Sequence, residues 1–240
     1  MLSKETIAIV KSTAPILAGE GEKITGLFYT KLFEAHPELK NIFNMANQAM
    51  GAQKRALADS VFAYAANIDR LEALGPLVSR IANKHVSLQI APEHYPIVGK
   101  YLLEAMQEHL RLTEGDPILS AWTEAYAALA GIFIDAEEDL YHQSEQKPGG
   151  WRGFRSFVIR DIKLEATDVK SVYLFPEDGE PVAGFEPGQY IGIKIEAGSY
   201  EHDEIRQYSL SSAPNHEFYR ITVKAESHEG GLGLVSNFLH

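Results

Sequence analysis

The spacing of apolar residues changes once along the chain. From Ser3 to about Tyr141 they recur three and four residues apart, the period of an amphipathic helix, and no stretch alternates cleanly. Ser3 is placed to cap a first helix, with Glu5 in its opening turn and Ile7, Val10, Ala14 and Leu17 on one face; Gly19 and Gly21 predict its end. A second helix carries Ile24, Leu27, Phe28 and Leu32 and must stop by His36-Pro37, because proline disfavours helix at the residue before it. A short corner anchored by Phe43 and Met45 follows, then a helix from about Ala52 with Leu57, Val61, Tyr64 and Ile68 on one face and Gln53 a turn before Leu57. Leu77, Ile81 and His85 predict the next, ending before Pro92. Pro92 suits the first turn of another helix, with Tyr95, Val98, Leu102 and Met106 inward. Asp116-Pro117 opens the last one, which runs through Trp122, Tyr126, Leu129 and Phe133 to about Tyr141.

A polar, Pro/Gly-rich run, Ser144 to Gly150, then marks a boundary, and the period becomes two. Phe157–Ile159, Val169–Leu174, Ile191–Ile195, Ile205–Ser209 and Tyr219–Val223 predict short strands, separated by turns at Asp178-Gly179, Pro187-Gly188, Ala197-Gly-Ser199 and Ala213-Pro-Asn215. The expected organisation is an all-α domain over 1–143, a linker over 144–150, and a small antiparallel barrel from 151 to 240.

Composition narrows the chemistry. The 240 residues are 45% hydrophobic, enough for two domains each with its own core. With no cysteine, disulfides and thiolate metal sites are excluded, so a metal would be held by nitrogen or oxygen. A formal charge of −11 disfavours nucleic-acid binding, which needs a basic face. Neither a basic-then-apolar leader nor an apolar run of membrane-spanning length is apparent, which points to the cytosol.

His85 continues a buried stripe in the last turns of its helix, where it either makes an ordinary core hydrogen bond or meets a metal in the neighbouring crevice. His109 is the rival ligand, continuing the stripe of Leu102 and Met106; a cation completing its helix end explains it equally well. His36, His94, His142, His202, His216, His228 and His240 lie in turns or polar surroundings and read as surface residues. Glu137 should lie near the carboxyl end of the last helix, where the dipole disfavours a carboxylate by roughly 0.3–1 kcal/mol, so either a compensating partner is expected or the residue is a solvated glutamate beside Glu138 and Asp139.

Phe28-Tyr29, Ile42-Phe43-Asn44-Met45, Gln53, Lys84-His85, Tyr95 and Glu137 occur in the order seen in the globin domain of flavohaemoglobins, and the helical half resembles that domain throughout. The resemblance implies a globin fold binding haem b, with His85 as the proximal iron ligand. It also implies that Glu137 and Tyr95 bond to the far ring nitrogen of His85 and increase its electron donation. Tyr29 would donate to bound oxygen, with Gln53 as second donor, Leu57 as an apolar wall and Phe43 against the porphyrin. Lys84 would meet a haem propionate or the neighbouring domain.

Pro187-Gly-Gln-Tyr190 followed by Arg206-Gln-Tyr-Ser209 resembles the flavin signature of ferredoxin-reductase-like Greek-key barrels. There the arginine clamps the FAD diphosphate, the tyrosine packs along the isoalloxazine and the serine bonds the ring, implying Arg206, Tyr208 and Ser209 here. Tyr190 and Gln207 join them as flavin contacts. Gly230 to Ser236 is a glycine-rich turn into a helix start, slightly elongated against the family pattern, whose Val235 and Ser236 could approach a phosphate.

The family pattern continues with the rest of the barrel and a nicotinamide-binding α/β domain, and no segment here has that βαβ alternation. The expectations are an incomplete barrel with an unpaired edge, weakened FAD retention, and a monomer that tends to associate through that edge. The resemblance implies a nitric oxide dioxygenase converting NO and O2 to nitrate, with electrons passing from NAD(P)H through FAD in a full-length form. A lipid or other hydrophobic ligand is a further candidate for the haem pocket. The alternative is a haem gas sensor whose β half docks without flavin; a third is a helical domain without haem.

Overall fold

The protein is described by a computed structural model covering residues 2–45, 48, 51–196, 198, 201–228 and 231–240. Ala197 and Ser199 of the expected turn, and Gly230 of the glycine-rich loop, lie outside the described residues. The chain forms two compact units, Met1–Val86 with Ile90–Glu138 and Ser87–Gln89 with Asp139–His240.

The helical unit contains α1 (Lys4–Ser12), α2 (Ala14–Ala35), α3 (Ala52–Asn67), α4 (Gly75–Ser87), α5 (His94–Leu110) and the start of α6 (Pro117–Gln146), with 3-10 turns at Pro37–Asn41 and Leu71–Leu74. Ser3 caps α1 as expected, its hydroxyl accepting from the Thr6 N–H at 2.9 Å. Asp116 does the same for α6, accepting from the Ile118 N–H at 2.8 Å. The first helix, however, ends at Ser12 and not at the glycines. Pro15 sits in the first turn of α2, where its missing N–H costs nothing, and α2 then runs unbroken through Gly19 and Gly21. Gly21 serves packing instead: a Cβ there would stand 3.1 Å from the Ala58 Cβ of α3. The Thr25 hydroxyl ties the same two helices by donating to the Lys54 carbonyl at 2.9 Å.

Two other helix bounds differ from expectation. Helix α5 begins at His94, leaving Pro92 in the turn before it. Helix α6 continues to Gln146, three residues into the polar run. It is also long and apolar enough, by length and composition, to cross a bilayer, contrary to the sequence reading. Its Ala121, Trp122 and Ala125 are buried in the helical core with Val10, Ile24, Phe28, Leu32, Tyr64 and Met106. His109 lies in the last turn of α5, the helix-end position expected of it. Its Nε2 lies 2.8 Å from the Glu20 carboxylate of α2, and Lys23 first, then His109, hold the Glu20 carboxyl below its usual range. The α5 terminus is closed by Arg111 in the left-handed region (φ 55°), with the Leu112 N–H reaching the Gln107 carbonyl at 2.9 Å.

The second unit is antiparallel. Strands β1 (Phe157–Ala166), β2 (Val169–Pro176) and β5 (Tyr219–Lys224) form one sheet in the order β1-β2-β5; β3 (Tyr190–Ile195) and β4 (Glu204–Ser209) form a ribbon. Two short strands, β6 (Ser227–His228) and β7 (Gly231–Leu232), lead to the five-residue helix α7 (Leu234–Phe238). The inner faces bury Val172, Leu174, Ile221, Val223 and Val182 with Val235 and Leu239. The sheets do not close into a barrel, and β1 is the open edge of its sheet, with Val158, Ile159, Ile162 and Leu164 exposed, as the unpaired edge anticipated from the sequence.

Gly99 of α5 is packed so tightly against the Tyr126 ring of α6 that a Cβ would run into it. Gly99→Ala should therefore destabilise the protein by about 1–3 kcal/mol in urea titrations, despite the better helix propensity of alanine. A pH dependence also follows from Tyr64, whose hydroxyl donates to the Ala125 carbonyl at 2.8 Å and whose pKa burial pushes up to about 12. Because an unfolded tyrosine ionises near 10, this contribution is intact below about pH 10 and lost as pH rises toward 12. In alkaline unfolding curves, Tyr64→Phe should make the fall over that interval shallower.

Candidate functional site

A buried carboxylate inside the helical unit joins three helices. His85 of α4 places Nδ1 2.6 Å from Glu137 Oε1 of α6, and Tyr95 of α5 donates its hydroxyl to that same oxygen at 2.6 Å. The Tyr95 hydroxyl is also 3.2 Å from His85 Nδ1. Glu137 is only 3% exposed, whereas the His85 side chain retains 30% exposure. The compensating partner expected for Glu137 is therefore present, but it answers burial and not the helix dipole. Helix α6 ends at Gln146, more than two turns beyond Glu137, so the dipole is not what needs compensating. Burial is: a carboxylate out of water requires hydrogen bonds, and these two supply them. Phe133, one turn earlier on α6, packs its ring 5.7 Å from the His85 ring.

With Nδ1 satisfied, Nε2 is the ring atom left to bind something else. Among the described residues no group of three His, Cys, Asp or Glu side chains is placed to hold an ion, so a metal at His85 would have to bring ligands of its own. A porphyrin iron does so.

The residues expected on the oxygen side lie on α2, the corner and α3. Tyr29 is 5% exposed, and burial pushes its pKa well above the ordinary tyrosine value, keeping the hydroxyl a donor. Its ring stacks on Phe33 at 5.8 Å and meets the edge of Phe43 at the same distance, so Phe43 packs into an aromatic cluster here. Leu57 is half-buried against the helical core and Lys84 is exposed. Gln48, which no motif or spacing singles out, is 7% exposed and within hydrogen-bond reach of Tyr29. Among the described residues, Gln53 Oε1 and Gln48 Nε2 are both buried without a hydrogen-bond partner. Each such atom costs about 1–3 kcal/mol, and polar atoms left wanting beside Tyr29 and on the expected distal position fit a site built for an added polar ligand.

In the second unit the register settles which flavin-signature residues share a face. Tyr190 pairs with Ser209 and Ile191 with Tyr208, so Tyr190 and Ser209 stand together, both exposed, at the end of the β3–β4 ribbon. Arg206 and Tyr208 share the opposite face, as alternation required. Tyr208 packs on the sheet core, and burial raises its pKa. Gln207 donates from Nε2 to the Ser87 hydroxyl at 3.1 Å. Val235 is buried, and the Ser236 hydroxyl accepts from the Glu226 N–H at 3.1 Å, bracing the turn before α7. Ser212, just past the signature, has a buried hydroxyl without a partner. An exposed aromatic beside a hydroxyl, a guanidinium on the same ribbon and an unmet buried hydroxyl nearby are compatible with a flavin nucleotide.

The shared bond at Glu137 makes a definite prediction. Tyr95→Phe and Glu137→Gln should each lower stability by about 1–3 kcal/mol, and the double variant should lose less than the sum. Strict additivity in the double-mutant cycle would show that the two side chains do not act together.

Comparison with known proteins matches these observations. A family model described as Globin matches residues 26–133. A flavohaemoprotein of Halalkalibacterium halodurans is 53% identical over 241 aligned residues, covering all of this chain and 59% of that protein. The crystal structure of a Malassezia yamatoensis flavohaemoglobin with bound FAD and haem superposes with a TM-score of 0.82 at 29% identity, covering 95% of this chain and 58% of that one. A bacterial globin of Campylobacter jejuni aligns at 42% identity and a TM-score of 0.56, over 58% of this chain and 99% of its own. The chain thus spans about three fifths of the length of the curated relative it matches. A globin fold carrying antiparallel sheets of the flavohaemoglobin type, the chain belongs to the globin family and is similar over its whole length to flavohaemoproteins.

Proposed function

We propose that the chain binds haem b through His85 and FAD through its β half, and that it forms the oxygen-handling part of a nitric oxide dioxygenase. When bound, the haem iron supplies an open coordination position for oxygen and the flavin supplies electrons that NAD(P)H provides in a full-length form. The observation that carries this reading is the Glu137 oxygen shared by His85 and Tyr95.

A carboxylate on Nδ1 fixes the ring orientation, leaves Nε2 as the ligating atom and makes the imidazole more electron-rich, which suits oxygen activation better than reversible carriage. On the other face Tyr29, kept protonated by burial, donates a hydrogen bond to the substrate oxygen, with Gln53 as second donor. Leu57 and Phe43 keep that space apolar, and Lys84 stands at the rim for a propionate. In the β half, Arg206 meets the diphosphate while Tyr190, Tyr208, Ser209 and Gln207 address the flavin, and Val235-Ser236 shape the nearby turn. We assign residues 1–143 to haem, 144–150 to the linker and 151–240 to flavin, and place the protein in the cytoplasm as a monomer handling O2 and NO.

Absorbance after haem supplementation tests this directly. A Soret band together with flavin absorption is expected, whereas haem without flavin would favour the sensor reading. His85→Ala should abolish stoichiometric haem binding and His109→Ala should leave it intact; the reverse pattern would overturn the ligand assignment. Tyr29→Phe should speed oxygen release several-fold if a bond of about 1–1.5 kcal/mol is lost.

A further inference from the structure

Beside the presumed diphosphate clamp stands a side chain that the flavin signature does not explain. On β4 the alternate residues Glu204, Arg206 and Tyr208 point to one face, opposite Ile195, Ile193 and Ile191 of β3. Glu204 is only 7% exposed on this apolar ribbon, and its Oε2 lies 2.7 Å from Arg206 Nη1. No aligned hydrogen bond reaches that oxygen, so the contact is one of charge on charge. The same Nη1 donates to the Ile205 carbonyl at 2.9 Å. Both contacts fall on one corner of the guanidinium, and among the described residues Nε and Nη2 meet no protein acceptor.

A buried carboxylate next to an anion-binding arginine is at first sight misplaced, since its charge opposes that of a phosphate. Its position on the strand gives it a use. An unrestrained arginine would sample many rotamers and lose that freedom on binding, whereas one already held at Nη1 has its remaining fork fixed in advance. We propose that Glu204 is a positioning residue: it anchors Nη1 of Arg206 so that Nε and Nη2 present a prealigned pair of donors to the diphosphate of a flavin nucleotide. The inference rests on the flavin reading of the β half. The Glu204–Arg206 pair, and not Arg206 alone, is then the unit that recognises the diphosphate.

FAD titration of the whole chain, followed by quenching of flavin fluorescence, distinguishes the outcomes. Glu204→Ala should weaken FAD binding about tenfold or more, the scale of losing one charge-assisted contact, while Glu204→Gln, which can still hold Nη1, should recover most of it. Restricted rotation of the Arg206 guanidinium, read by nitrogen NMR without FAD, should be present in the wild type and lost in Glu204→Ala. That signal would survive if Glu204 only filled space. Wild-type or tighter FAD binding by folded Glu204→Ala would overturn the proposal, as would equal weakening in both variants. Failure of the flavin reading itself is separable, because Arg206→Ala would then leave FAD binding unchanged.

Discussion

One carboxylate oxygen ties the helical unit to its chemistry. Glu137 Oε1 receives both the Tyr95 hydroxyl and the Nδ1 edge of His85, each at 2.6 Å, and so joins α4, α5 and α6 at a point out of reach of water. With that oxygen missing, the Tyr95 hydroxyl and the Nδ1 edge of His85 would each lose their shortest hydrogen bond. The bonds that make the acid tolerable inside the protein also occupy Nδ1 of His85, so that Nε2 is its other ring nitrogen.

Around that point the packing leaves little tolerance. Tyr126 donates its hydroxyl to the Tyr95 backbone carbonyl at 2.7 Å and lays its ring where Gly99 has no side chain. The placement of Tyr95, and through it of Glu137, is thus fixed from its backbone as well as from its hydroxyl. Gly21 against Ala58 is the same device used between α2 and α3, the helices that carry Tyr29 and Gln53. In both cases a glycine inside a helix gives up propensity so that two elements bearing site residues can approach closely.

The periodicities disclosed most of this fold, because helix and strand differ in spacing and each unit has a one-sided core. What they could not disclose was the purpose of particular small or polar residues. Gly19 and Gly21 read as a terminator by composition, whereas the actual break falls at Thr13-Ala14-Pro15, where proline is harmless to the new helix and impossible within the old one. The trio of His85, Tyr95 and Glu137 was legible only through likeness to a family, since residues 42 positions apart carry no local signature of contact. Phe133 was visible as a stripe residue one turn before Glu137, yet its role beside His85 was not. Gln48 had no signal at all, being one amide in a polar corner, and its importance comes from burial next to Tyr29.

Glu204 shows a third situation, in which the pattern was present but the meaning depended on burial. Its two-residue spacing from Arg206 follows from alternation alone, and an exposed strand would make such a pair worth little. On this ribbon the neighbours across the strand are three isoleucines, so the acid is taken out of water with the Arg206 charge as its close companion. Burying two charges is rarely a net gain in stability, and a well-packed apolar pair would serve the sheet as well. What an apolar pair could not do is hold a guanidinium by one corner, at Nη1. The helical half contains a related pair, in which a buried acid holds one nitrogen of a histidine ring. In each unit a buried carboxylate thus holds one corner of a basic side chain, Nδ1 of His85 and Nη1 of Arg206.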